Sequence, residues 1–342
     1  MLRVVNRTPY RTQLFGALDV ERRDVAVIVV KGTFTLDRGV ARVADEQAAI
    51  VVADEHHGDP TSSSVRYESD LAPEKRATDV VLNGTAYAPR RAAEALVSVQ
   101  VGPVAKTLRV LGERRWVRDA LGRLRASAPQ PFEQLPLLYE SAFGGTDPGA
   151  KQDGAPAAGP PGDARNPVGV GFIAKSSRTD PADVAVPRIE DPQQPITSPQ
   201  DQPAPAGVGF VHRAWWPRSH FGGTYDAAWT KERAPFLPLD FNPQFHQGAS
   251  AGLVARGFLR GDEPVRALGV TPTGHAVEFR LPGRAIEAVV RTAGQDLSLR
   301  ANLDTVVLEP DLDRVLCTWR ALYPCPRKLL RIERVTVKEL PA

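Results

Sequence analysis

The chain has 342 residues, enough for a well-buried core in one large β domain or two smaller lobes. Hydrophobic residues make up 42% and charged residues 24%, which is the balance of a globular protein and excludes a disordered one. The 43 basic and 40 acidic residues are interspersed and leave a formal net charge of +3. Arg114–Arg115 before Trp116 is as dense as the basic residues become, so nucleic acid is not an expected partner.

The first segment, MLRVVNRTPY, lacks the apolar stretch of a secretory signal, and no later segment approaches the roughly 18 apolar residues that span a bilayer. A soluble chain in the bacterial cytoplasm, with no membrane partner, is the expectation. Cys317 and Cys325 lie eight residues apart, which fits neither a CxxC redox motif nor a zinc knuckle. They are expected to be unpaired structural thiols.

Along the first third, β-branched and alternating segments predict strands at 25–36, 40–53, 79–87, 96–101 and 106–111, with a short one around Trp116. Asp37-Arg38-Gly39 and Gly102-Pro103 supply turns between them. From 147 to 167 and from 175 to 205 the chain turns Pro-, Gly- and Gln-rich. Residues 191–203 cannot pair in a sheet, because proline lacks the ladder donor, so long surface loops or extended arms are predicted. Residues 223–233 predict a short helix capped by Thr224 or Asp226. Strands return at 275–281, 286–292, 297–308, 314–322 and 328–338.

Short strands without long helical stripes predict a mainly β fold: antiparallel sheets forming a sandwich or open barrel, with long Pro/Gly-rich loops and few short helices. The expected division is an N-terminal β lobe at 1–146, a loop region at 147–206, and an aromatic-rich segment with a C-terminal β lobe at 207–342. One continuous domain is the alternative.

Motifs for chemistry are sparse. Gly169-x-Gly171-x-x-Ala174 has the spacing of a dinucleotide fingerprint, but Asn166-Pro167 precedes it and no helix follows to receive a pyrophosphate. Asp54-Glu55-His56-His57-Gly58-Asp59 is the densest set of metal-type ligands. Adjacent histidines in a strand face opposite ways, so a solvated polar loop is the simpler reading. Ser141 lacks the glycine two positions earlier that a nucleophile elbow needs. Asp226, Asp240 and Glu278 are the acids that a glycosidase reading would use. No catalytic residue, cofactor or metal ligand is assigned, and a non-enzyme is expected.

The aromatic density between 210 and 245 is the distinctive feature. Trp215, Trp216, Phe221, Tyr225 and Trp229 are interleaved with Arg213, Arg218 and His220. They read either as core beneath an irregular segment or as a binding surface of the Trp/Tyr/Arg type, with different residues free to serve each role. The partner-binding candidates are Trp215, Trp216, Arg218, His220, Phe221, Tyr225 and Trp229, and the Pro-rich arms are expected to join them.

Several segments together resemble a known family, the bacterial domain of unknown function numbered 2169. They are Ala77–Pro89, Leu108–Trp116, Tyr139–Asp147, Asn166–Phe172, Pro205–Phe210, Trp216–Arg218, Gly223–Asp226, Leu237–Phe241 and Gly274–Pro282, in that order. The resemblance implies an association with type VI secretion: an adaptor or chaperone that binds a toxic effector and helps place it on the spike, through the PAAR tip protein or the VgrG trimer. It implies no enzymatic activity, cofactor or metal, and assigns no functional residue. The motif residues suit fold roles, with Gly144-Gly145 and Gly222-Gly223 as positive-φ turns and Trp216-Pro217-Arg218 as a packing unit. The competing readings are a β-rich enzyme acting on carbohydrate or cell wall, and a structural component of the secretion particle. Oligomeric state stays open.

Overall fold

A computed structural model describes residues 3–150, 161–182, 184–325 and 329–341. It is mainly β, and the short Ala227–Glu232 is the α-helix among the described residues. An 11-stranded sheet curls into a half-barrel, and a four-stranded sheet packs against it.

The centre of the large sheet is the strand Asp24–Asp37. Its Ala26–Val30 run is wholly buried, as expected of a strand covered on both faces rather than one. Along one edge it pairs antiparallel with Arg314–Pro324 over eleven residues, from Val25 opposite Pro324 to Thr35 opposite Arg314. Its other edge is shared by Arg11–Leu18 and then Val40–Val43. Beyond Arg314–Pro324 lie Asn302–Glu309 and, parallel to it, Asp79–Leu82. On the far side of Val40–Val43 the sheet continues through Val277–Arg280, Pro264–Leu268, Glu94–Val101, Val104–Leu111 and Ile189–Glu190. Residues of both 1–146 and 207–342 thus share one sheet. Arg3–Asn6, Ile332–Glu339, Ile286–Thr292 and Gln295–Arg300 form the smaller one.

Several expected boundaries move for identifiable reasons. The segment 40–53 leaves the sheet after Val43, because the Gln47 side chain takes the place of a strand at Thr33. Its Oε1 accepts from the Thr33 N–H at 2.8 Å, and its Nε2 donates to the Thr33 carbonyl at 3.0 Å. The expected strand 297–308 is two strands. The chain passes at Ala301, whose N–H donates to Ile286, from the small sheet to the large one. No turn residue marks that crossing. Likewise 79–87 breaks at Asn83-Gly84, and Thr85–Tyr87 pairs instead with Gln134–Pro136. Arg3–Asn6, Arg11–Leu18 and Pro264–Leu268 are strands that the sequence pattern did not reveal.

The core has an aromatic centre. Tyr10, Phe34 and Trp319 lie with ring centroids 5.7–6.3 Å apart, each no more than 2% exposed. Gly32 sits beneath all three, and a Cβ there would come within 2.9 Å of Tyr10. Buried ion pairs flank this centre: Lys31–Asp70 at 2.8 Å, Lys75–Asp79 at 2.7 Å and Arg320–Asp304 at 2.6 Å. Charges out of water need every lone pair answered. Asp79 also accepts from the Gln247 side chain at 3.0 Å and the Gly248 N–H at 2.8 Å, which fastens the aromatic-rich segment to the sheet.

The loop region is more tied down than free arms would be. Ala185–Val186 pairs with Arg114–Arg115, and Ile189–Glu190 pairs with Arg109–Val110. The Asp147 carboxylate accepts from the N–H groups of Gly149 and Ala174 and from the Thr179 hydroxyl. Residues 191–203 contain no strand. Residues 151–160 of the first arm, and Lys328 of the last expected strand, lie outside the described residues.

Candidate protein-binding cleft

The family-like glycine motifs fix the backbone next to Tyr139 and Arg165, two residues that line the cleft. Asn166 is fully buried and its side-chain amide donates to the carbonyls of Tyr139 (2.8 Å) and Phe143 (3.0 Å). Val170–Gly171 pairs in parallel with Phe143–Gly144. Gly144 and Gly145 have φ of 149° and 88°, and a Cβ on Gly145 would meet the Gly169 carbonyl at 2.3 Å. The fingerprint-like spacing of Gly169 and Gly171 therefore serves close backbone approach, with no helix after it. In the second expected glycine turn only Gly223 has positive φ. At Gly222 a Cβ would make ordinary contact with Phe245, so that half of the expectation is corrected.

The segment after Pro205 supplies most of the other lining residues. Phe210 bridges to Ala249 and is buried. A turn closed by the Trp215 N–H on the His212 carbonyl leads into the short 3-10 helix Arg218–Gly222, which packs on a second one, Pro243–His246. Asp226 caps Ala227–Glu232, its carboxylate accepting from the Trp229 N–H at 2.8 Å, so the cap is Asp226 and not Thr224.

The seven candidate residues separate into three groups. Trp215 is 6% exposed and meets Tyr139 edge-on at 5.5 Å, and Arg218 is 4% exposed. The Arg218 guanidinium donates to the carbonyls of Val211 and Phe245 and to the Glu68 carboxylate, so it clamps three segments together. Trp216 is 49% exposed, with His220 against it at 4.4 Å, and Phe221 is half-buried nearby. Trp216-Pro217-Arg218 is thus split between surface and interior rather than packed as a unit. Tyr225 and Trp229 form a separate pair at 4.7 Å, with the Trp229 indole N–H donating to the Phe236 carbonyl.

Trp216, Pro217, Arg218 and Phe221 line a cleft of about 360 Å³ together with Tyr139, Arg165, Ala204, Pro205 and the turn Ala249–Ala251. Apolar surface dominates its walls, and none of the described residues lining it is acidic. One polar lining residue, Ser250, is held by hydrogen bonds to groups around the cleft. Ser250 donates its hydroxyl proton to the Gly207 carbonyl at 2.7 Å. Lys106, from the strand Val104–Leu111, donates to Ser250 Oγ at 2.7 Å and to the Ala251 carbonyl at 2.8 Å. Burial pushes the Lys106 amine down to about 8, against a weak opposing pull from Asp191. Burial likewise pushes the Tyr139 phenol up to about 12. Tyr139, Arg165, Ser250 and Lys106 went unmarked in the sequence as site residues. Tyr139 stands in a family-like segment, whereas nothing local to Lys106 signals its destination.

The polar cluster at 54–59 has local duties. Asp54 pairs with Arg213 at 2.8 Å and accepts from the Ser69 N–H; Asp59 accepts from Thr61. His56 lies 5.8 Å from the His212 ring, while His57 is exposed, with partial desolvation holding its pKa below the usual imidazole value. Among the described residues no group of three or more His, Cys, Asp or Glu is arranged to hold a metal ion. Asp240 accepts from the N–H and hydroxyl of Thr224, and Glu278 pairs with Arg266 at 2.8 Å on the surface. Ser141 lies in a single 3-10 turn, Tyr139–Ser141. No described helix is long and apolar enough to cross a membrane.

No curated protein and no solved structure matches the chain. Residues 21–320 match the model of the family described as "Uncharacterized protein conserved in bacteria (DUF2169)", which covers most of the sheet and the residues that line the cleft. The chain belongs to that family.

Proposed function

We propose that the protein is a non-enzymatic adaptor of type VI secretion, acting in the bacterial cytoplasm to bind a toxic effector and help load it on the PAAR/VgrG spike. The observation that carries the reading is the cleft itself, an apolar recess of about 360 Å³ lined by a half-exposed Trp216 and by Tyr139, which packs edge-on against buried Trp215. Aromatic anchors in a partly desolvated pocket are where protein interfaces concentrate their energy. The strand Arg11–Leu18 adds a second kind of surface. No strand among the described residues pairs with its outer edge, which offers backbone donors and acceptors for strand addition.

The acids that glycosidic chemistry would use are committed elsewhere: Asp226 to a helix cap, Asp240 to Thr224, Glu278 to Arg266. This favours binding over hydrolysis at the cleft. Affinity capture of the tagged protein from its host's cytosol, followed by mass spectrometry, is the test. Recovery of a PAAR- or VgrG-bearing protein with a toxin, reduced by the double variant Trp216→Ala/Phe221→Ala, is expected. A clean preparation at native expression, with neither spike nor effector, would overturn the proposal.

A further inference from the structure

The four-stranded sheet ends in an edge that its own sequence can answer. Its outermost strand, Gln295–Arg300, pairs with Ile286–Thr292 on one side, and among the described residues no strand pairs with the other. The Ala301 N–H donates to the Ile286 carbonyl. In this antiparallel ladder Leu297 and Leu299 therefore turn their backbone groups inward, while Asp296, Ser298 and Arg300 turn theirs outward. The buried face of Ile286, Ala288 and Val290 continues onto the edge strand as Leu299, opposite Ala288, and Leu297, opposite Val290. There it runs out of cover, and Leu297 is 48% exposed. The other face carries charges in rows across the sheet. In one row Lys338 pairs with Glu287 at 2.8 Å, and Arg300 stands next in register with no ion pair among the described residues. In the other, Arg291 holds Glu333 at 3.5 Å and Asp296 at 3.6 Å, with Asp296 at the edge.

We propose that a second copy of this chain pairs with this edge, antiparallel, about a two-fold axis at Ser298. Only that register lets all three outward residues exchange backbone hydrogen bonds, Ser298 with its counterpart and Asp296 with Arg300 of the second copy. The same register completes the other two patterns. Leu297 faces Leu299 of the second copy in the closer, non-hydrogen-bonded pairs, so the apolar face is carried across the axis. The charge rows join end to end with alternating sign: Lys338, Glu287 and Arg300 of one chain meet Asp296 and Arg291 of the other. This charge complementarity selects a second copy as the occupant. The other open edge, Arg11–Leu18, carries a single charge, Arg11, and offers a copy of itself no such ion pair. The inference goes beyond the adaptor reading and does not rest on it.

Sedimentation equilibrium of the full chain should show a reversible monomer–dimer equilibrium at micromolar concentration, as suits a small interface. Ser298→Cys, in a Cys325→Ser background, puts two thiols on the axis, where a hydrogen-bonded pair has Cα atoms about 5.5 Å apart and within disulfide reach. Mild oxidation should then yield a covalent dimer. Gln295→Cys, exposed on the same strand but distant from its counterpart, should yield none. Arg300→Asp and Asp296→Arg should each weaken self-association about tenfold by setting like charges opposite one another. An equimolar mixture of the two variants should associate as tightly as the unmodified chain. A chain that stays monomeric, or a Ser298→Cys variant that crosslinks no better than Gln295→Cys, overturns the inference even if the charge variants fail to fold. So do charge variants that fold and self-associate like the unmodified chain. A dimer from which no secretion partner is recovered removes the adaptor reading alone. A monomer that captures effector and spike removes the dimer alone.

Discussion

Two of the molecule's groups of aromatic residues are nearly the same in chemistry and differ in setting. Tyr10, Phe34 and Trp319 meet over Gly32 at the centre of the large sheet and are sealed from solvent. Trp215, Trp216, Phe221 and Tyr139 meet on irregular backbone, where one tryptophan is buried and its neighbour stands half in water. What differs is the support. In the first group Phe34 and Trp319 stand on paired neighbouring strands, and Tyr10 closes over them from the bend before Arg11–Leu18. The second rests on 3-10 turns held by buried polar clamps, Arg218 on Glu68 and Asn166 on two carbonyls. Such a scaffold fixes one ring inside and leaves the next one out.

If that contrast is sound, substitutions in the two groups should fail differently. The largest loss is expected at the sheet centre: Trp319→Ala should lower the unfolding free energy by about 3–5 kcal/mol, the range for deleting a buried aromatic. Denaturant unfolding monitored by circular dichroism measures it. Next comes the clamp. Glu68→Gln keeps the shape but leaves the buried Arg218 guanidinium without its counter-charge, and should cost about 3 kcal/mol. Because Arg218 also holds the cleft wall, this variant should lose partner capture as well.

A pH effect should follow from His246. Burial first, then the nearby Lys75, Arg218, Arg320 and Arg213, push it down to about 3, so it is neutral in the folded protein. The unfolded chain binds a proton near 6.5 that the folded one refuses. Stability is thus full above that pH and falls as pH drops from about 6.5 towards 3. His246→Gln should flatten the upper part of that slope, between pH 6.5 and 5, where few carboxylates titrate. An unchanged slope would mean that His246 gains its proton without unfolding. The smallest effect on stability belongs to Trp216→Ala, within about 0.5 kcal/mol as for other exposed sites. Its capture of partner should nevertheless fall about tenfold or more. A Trp216→Ala variant that unfolds as readily as Trp319→Ala would erase the distinction between the two groups.

Much of the β architecture was legible because its signals are local. The Val25–Val30 run and the Gly102-Pro103 hairpin each declare themselves within a few residues, and both occur where expected. Arg11–Leu18 was not legible, because its mixed composition suits an edge strand with one half-covered face. The split at Ala301 was hidden because two alternating runs abut with no turn residue between them. For the cleft, the aromatic density between 210 and 245 pointed to the right segment but could not say which ring faces out. Lys106 was beyond sequence reasoning, since its meaning depends on Ser250 and Ala251, brought to it from a distant part of the chain.

The pairing of Asp24–Asp37 with Arg314–Pro324 has a consequence for the protein's birth. Val25 faces Pro324 in the finished sheet, so the most apolar strand emerges from the ribosome long before its long-edge neighbour exists. At about 5–20 residues per second the wait is on the order of 15–60 s. Arg3–Asn6 waits longer still, for Ile332–Glu339. Folding of the sheet is therefore postponed until synthesis has passed both neighbours. During that interval the Val25–Val30 run has only its N-terminal and hairpin neighbours to pair with, and the burial of its long edge waits for the last part of the chain.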